Sequence, residues 1–110
     1  MMKMAMSQAA TGLLRALIGR AAVPRDRILL SEWRSTDWQS LTFAGERHSI
    51  SLRIAGPHSG AVAKRMTTGL ADADFVIPGQ IVADITTIGE PKLAEDGATE
   101  VSLEALTIAE

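Results

Sequence analysis

Residues 28–54, ILLSEWRSTDWQSLTFAGERHSISLRI, alternate apolar and polar side chains closely enough to argue a strand register. Taking Arg34–Asp37, RSTD, as a four-residue hairpin loop sets Trp33 opposite Trp38, Leu30 opposite Leu41 and Ile28 opposite Phe43. Taking Gly45-Glu46 as a two-residue turn sets Leu41 opposite Ile50 and Phe43 opposite His48, because glycine suits turns whose twist matches the strands. Both assumptions place Ile28, Leu30, Leu41, Phe43, Ile50, Leu52 and Ile54 on one side of a three-stranded meander spanning 26–55. The other side then collects Leu29, Ser31, Trp33, Trp38, Ser40, Thr42, Ser49, Ser51 and Arg53, a polar face with two large aromatics.

Outward from the meander, Met6, Ala10, Leu13, Leu14, Leu17 and Ala21 recur at helical spacing and predict a helix over 5–22, after a disordered start at 1–4. The basic character of residues 1–25, which carry Lys3, Arg15, Arg20 and Arg25 and no acid, mimics a targeting segment. Arg15 interrupts its apolar run, so the stripe of a domain helix is the better account. Val62, Met66 and Leu70 predict a second helix over 59–72, lying on the sheet. Two strands follow over 80–108, with Ile81, Ala83 and Ile85 on one face of the first. They are separated by a polar ten-residue loop, Gly89–Ala98. In the last strand the alternation Val101, Leu103, Ala105 changes phase to Leu106 and Ile108, which predicts a bulge. The fold class is therefore α+β: an antiparallel sheet of about five strands with helices on one face, in the order α-β-β-β-α-β-β, forming one domain over 1–110.

Composition narrows the function. No apolar run reaches the roughly 18 residues of a membrane helix, and the absence of cysteine removes disulfides and thiol chemistry. A soluble cytoplasmic protein is expected. The net charge of −2 hides an asymmetry, because residues 1–65 hold ten basic and four acidic side chains and residues 66–110 hold one basic and nine acidic. Such halves attract one another within a chain or between two copies. The acidic total argues against a dedicated nucleic-acid binder.

Two groups of residues are candidate sites. Trp33, Trp38 and Arg53, flanked by Ser40 and Ser51, form a predicted cross-strand cluster with the guanidinium on an indole, and Trp and Arg are common interface anchors. The stretch GPHSGAVAKRM, 56–66, opens a helix whose unpaired amides suit an anion, with Gly56, His58, Ser59, Gly60, Lys64 and Arg65 as contributors. Ala61 stands where a P-loop needs lysine, so helix capping by Ser59, or by Gly56 with Pro57 behind it, explains the same residues. His58 and Asp72 are 14 residues apart, about 21 Å along a helix, too far for a catalytic pair. His48 is expected at the core edge, and Asp72, Asp74 and Asp84 show no metal-ligand spacing. No catalytic residue, cofactor or metal is expected.

The order of elements resembles that of the small dimeric type III secretion chaperones, and this resemblance implies an adaptor or chaperone-like role. The glycines of GPHSG resemble the GxxG loop of KH domains, with one residue more between them. The leading expectation is a non-catalytic interaction domain that forms a homodimer through the open sheet face or the C-terminal strands. The alternative is anion, nucleotide or nucleic-acid binding at the Gly56–Arg65 helix entrance.

Overall fold

The computed structural model describes residues 6–110. The expected disordered stretch 1–4 and the expected first helical residue, 5, lie outside the described residues. The fold is α+β, with α1 Gln8–Ala21, β1 Ile28–Gln39, β2 Ala44–Ile54, α2 Ser59–Thr67, β3 Gln80–Thr87, β4 Lys92–Leu93 and β5 Thr99–Ala109. All strand pairings are antiparallel, in the order β1-β2-β5-β3, with β4 alongside β5.

The predicted meander is instead a single long hairpin. Neither RSTD nor Gly45-Glu46 is a turn, and the chain reverses at Ser40–Phe43, where the Ser40 hydroxyl accepts hydrogen bonds from the amides of Thr42 and Phe43. Leu41 and Phe43 are therefore exposed at a hairpin tip and do not face Ile50 or His48. A bulge between Leu30 and Glu32 makes the difference inside β1. It absorbs one residue, so Leu30 and Trp33 share the core side although they are three apart, which strict alternation forbids.

The later part of the chain differs from expectation at three places. The bulge expected in the last strand lies in β3, between Val82 and Asp84, so Ile81 points away from the core that Ile85 enters. β5 itself alternates without interruption, burying Thr99, Val101, Leu103, Ala105 and Thr107. The second helix stops at Thr67, because Gly69 adopts a left-handed φ of 69° before a short 3-10 turn at Leu70–Asp72. The ten-residue loop contains β4, which brings the strands to five. The observed order, α-β-β-α-β-β-β, is roughly the expected one, with two strands before α2 and three after it.

The helices cover one face. Ser7 caps α1 by accepting from the Ala10 amide, and its hydroxyl donates to Glu46 Oε1 at 2.6 Å, pinning the helix start to β2. Leu13, Leu17 and Ala21 of α1 meet Val62, Ala63 and Met66 of α2 over Ile50, Leu52, Ile54, Val101 and Leu103. Each of the larger side chains contributes about 1.5–3 kcal/mol on burial, and Ala21 and Ala63 less. The helix C-termini are tied by exchanged arginines. Arg65 donates to the Ala21 carbonyl of α1, and Arg20 donates to the Met66 and Thr68 carbonyls at the end of α2, which satisfies groups each helix leaves unpaired. Among the described residues no helix is long and apolar enough to cross a membrane.

Gly45 is required by close approach, since a Cβ there would collide with the Thr107 carbonyl and crowd the Ile108 backbone. Gly45→Ala is expected to lower unfolding stability by about 1–3 kcal/mol, the usual scale of overpacking. Urea titration checks this; an unchanged midpoint would show that the two strands separate without cost.

Candidate functional site

The face of the sheet without helices is set by the pairing register. Its rows run Trp38–Gly45–Ile108–Ile81, then Thr36–Arg47–Leu106–Asp84, then Arg34–Ser49–Glu104–Thr86, then Glu32–Ser51–Ser102, and finally Leu29–Arg53–Glu100–Lys92. The first row is apolar across four strands. Trp38, Ile108 and Leu106 are half-buried, and Ile81 is 51% exposed. Below it, Arg34, Arg47 and Arg53 occupy the β1–β2 half, while Asp84, Glu100 and Glu104 occupy the half built by β3 and β5. The charge asymmetry of the chain thus becomes a basic and an acidic half of one surface.

The predicted aromatic cluster is dispersed by this geometry. Trp33 lies on the core side, Trp38 on the helix-free face, and Ser40 in the hairpin turn. Ser51 and Arg53 share the face with Trp38, but Arg53 stands opposite Leu29 and Glu100, eight residues along β2 from Gly45, or about 27 Å. Its guanidinium bonds Glu100 at 2.7 Å and also Asp96, so it lies on carboxylates and not on an indole. Ser51 Oγ meets Ser102 Oγ at 3.3 Å. Ile108, which completes the apolar row, and Leu106, in the row below it, did have a sequence signal: the phase change in the last strand is the point where apolar residues begin to line the outer face of β5.

The residues of the Gly56–Arg65 stretch have structural partners instead of a common focus. Gly56, at a φ of 90°, lies under the Arg27 guanidinium, which donates to the Ala55 and Pro57 carbonyls at 2.8 and 2.6 Å. Ser59 is not the cap of α2; it is buried, donating to the Gly97 carbonyl and meeting Thr99 Oγ1, both at 2.7 Å. His58 holds the cap position in a left-handed conformation without a side-chain capping bond. Arg65 is turned to the end of α1, and Gly60 and Lys64 are exposed.

His48 is buried, as its place at the core edge implied. The Trp33 indole can only donate, and does so to Ser35 Oγ at 2.9 Å; Ser35 Oγ is 2.7 Å from His48 Nδ1, and His48 Nε2 is 2.9 Å from Thr107 Oγ1. A neutral imidazole satisfies both contacts: with its proton on Nε2 it donates to Thr107 and accepts from Ser35, and with its proton on Nδ1 the two roles exchange. Trp33 packs edge-on against the ring, with centroids 5.8 Å apart. Both nitrogens are engaged and the ring is buried, so the Ser35–His48 pair has the contacts of a catalytic dyad with its base inside the core.

No protein-family model matches the chain, and no curated protein matches it.

Burial pushes the His48 pKa down, against a smaller opposing effect of the Glu46 carboxylate. The unfolded chain therefore takes up this proton first as pH falls. The stability that a neutral His48 contributes is complete above about pH 6.5 and is lost as pH falls through its folded value. Asp96, held below the usual carboxylate range by the Ala98 amide and Arg53, contributes stability that is complete above about pH 4 and is lost only below it, outside the window in which His48 acts. Thermal melts between pH 7 and 5 are expected to show a falling Tm that His48→Gln flattens; an identical slope in the variant would place the titration elsewhere.

Proposed function

We propose that the protein is a non-catalytic interaction domain that works as a homodimer through the helix-free face of its sheet. The observation that supports this most is the row Trp38–Gly45–Ile108–Ile81, an apolar band crossing four strands on a face no helix covers. Aromatic residues at such a band are typical interface anchors.

The surface is complementary to itself in one orientation. A twofold axis parallel to the strands, between β2 and β5, sets each row against the same row of a second copy. The apolar row then meets itself, with Trp38 over Ile81 of the second copy. The same operation lays the arginine half on the acidic half, bringing Arg34 and Arg47 toward Asp84 and Glu104 of the second copy. A twofold axis along the rows would instead set the apolar band on the Arg53 row and leave it unmatched. The favoured axis keeps the two sheets near-aligned, the usual geometry of sheet-on-sheet packing. Four strands about 4.8 Å apart and about 27 Å long give about 500 Å2 in projection, and side-chain relief raises this toward the roughly 800 Å2 per partner of a standard interface.

Sedimentation velocity over a wide dilution range tests the proposal. A dimer is expected, with Trp38→Glu raising the dissociation constant at least about thirtyfold, the scale of a lost anchor. Added salt should also weaken it. A wild-type chain that sediments as a monomer at every concentration would sink the reading.

A further inference from the structure

The arginines divide into those with partners and those without. Arg20, Arg27 and Arg65 are held on main-chain carbonyls, Arg53 on two carboxylates, and Arg34 lies 3.9 Å from Glu32, while Arg47 is exposed on the helix-free face without such a partner among the described residues. Arg15 on α1 and Arg25 in the 3-10 turn before β1 are exposed and, among the described residues, make neither a hydrogen bond nor an ion pair. Both border one cleft between α1 and the edge strand β1.

The cleft has two joined lobes. The larger, about 500 Å3, is walled by Leu14 and Ile18 of α1 and Ile28 and Leu30 of β1, with Arg25 and Asp26 at its rim. The smaller, about 130 Å3, shares Leu14, Ile18 and Arg25 and adds Thr11 and Arg15. It exists because α2 packs over β5 and β2, so the core-side residues of the edge strand β1 have a helical neighbour on one side only. The volume and the apolar wall with few polar groups are those of a small-molecule site.

We propose that this cleft binds a medium-chain fatty carboxylate, its head in the small lobe between Arg15 and Arg25 and its tail along Leu14, Ile18, Ile28 and Leu30. Two arginines against the single Asp26 leave the mouth with one net positive charge, matching a monoanion. Guanidinium groups pair with carboxylates through two parallel hydrogen bonds. The larger lobe has no aromatic side chain or hydroxyl to recognise a ring or a sugar, whereas a linear alkyl chain needs only the aliphatic wall. The cleft follows α1 from Thr11 to Ile18, about 10 Å at helical rise, which suits a chain of roughly eight to ten carbons. The site lies on the opposite side of the sheet from the proposed dimer face, so the two readings stand or fall separately.

Calorimetric titration with decanoate below its aggregation concentration tests the proposal, with decanol and decyltrimethylammonium as arms of equal tail length. Saturable binding of one decanoate per chain is expected, at least tenfold tighter than either comparison. The double variant R15E/R25E should lose at least tenfold for decanoate and nothing for decanol. Ile18→Gln, at a half-buried position, should weaken both. Absence of saturable decanoate binding, equal affinity for decanol or the ammonium amphiphile, or wild-type affinity in R15E/R25E would overturn it. Should R15E/R25E fail to fold by circular dichroism, the three amphiphiles on the wild-type protein decide.

Discussion

Pairing of β2 with β5 is the constraint from which the other contacts follow. The two strands meet over ten residue pairs, from Gly45 opposite Ile108 to Ile54 opposite Thr99, and their inward side chains supply Ile50, Leu52, Ile54, Val101 and Leu103 to the core. Both helices rest on that pair, β1 and β3 add to its two flanks, and His48 reaches across it to Thr107. The contacts are long-range in sequence, so the entropy of closing the chain opposes them until apolar burial compensates. The collision that bars a side chain at Gly45 belongs to the same pair and marks how closely the two backbones run.

Much of the architecture was legible because it depends on periodicity. The stripe Leu13, Leu17, Ala21 and the stripe Val62, Met66 identified the helices, and alternation identified strands on both sides of α2. What alternation could not carry was phase across an inserted residue. Ser31 in β1 and Ala83 in β3 each displace the pattern by one, and each error propagated: the first put Trp33 on the wrong face, and the second put Ile81 on the same face as Ile85. The turns were misplaced for a different reason. RSTD and Gly-Glu have turn composition, but the reversal was fixed by a single serine whose hydroxyl organises two amides, a signal too common in sequence to stand out.

The candidate surface was legible in part. Trp38, Ser51 and Arg53 do share the helix-free face, yet the distance between Trp38 and Arg53 depends on how far β1 and β2 run before they reverse, and that was the quantity misread. The anion reading of Gly56–Arg65 failed to converge because the neighbours of each residue come from far along the chain: Arg27, Gly97, Thr99 and Ala21. Local spacing contains no information about such partners. The charge asymmetry, by contrast, survived every error of register, since it depends only on which strands carry which sign.

The place of β5 in the sheet has a consequence for how the molecule is made. A strand late in the chain sits between two earlier ones, so the β1–β2 hairpin is synthesised more than 40 residues before the strand that completes it. At about 5–20 residues per second, the inner edge of β2 and its row of isoleucines and leucine stand open for several seconds on the ribosome. During that interval the β2 edge is an unpaired strand edge, the kind of surface on which incomplete chains associate. The ionic attraction between its basic early half and its acidic late half is available, as β5 emerges, to draw the correct strand into the gap.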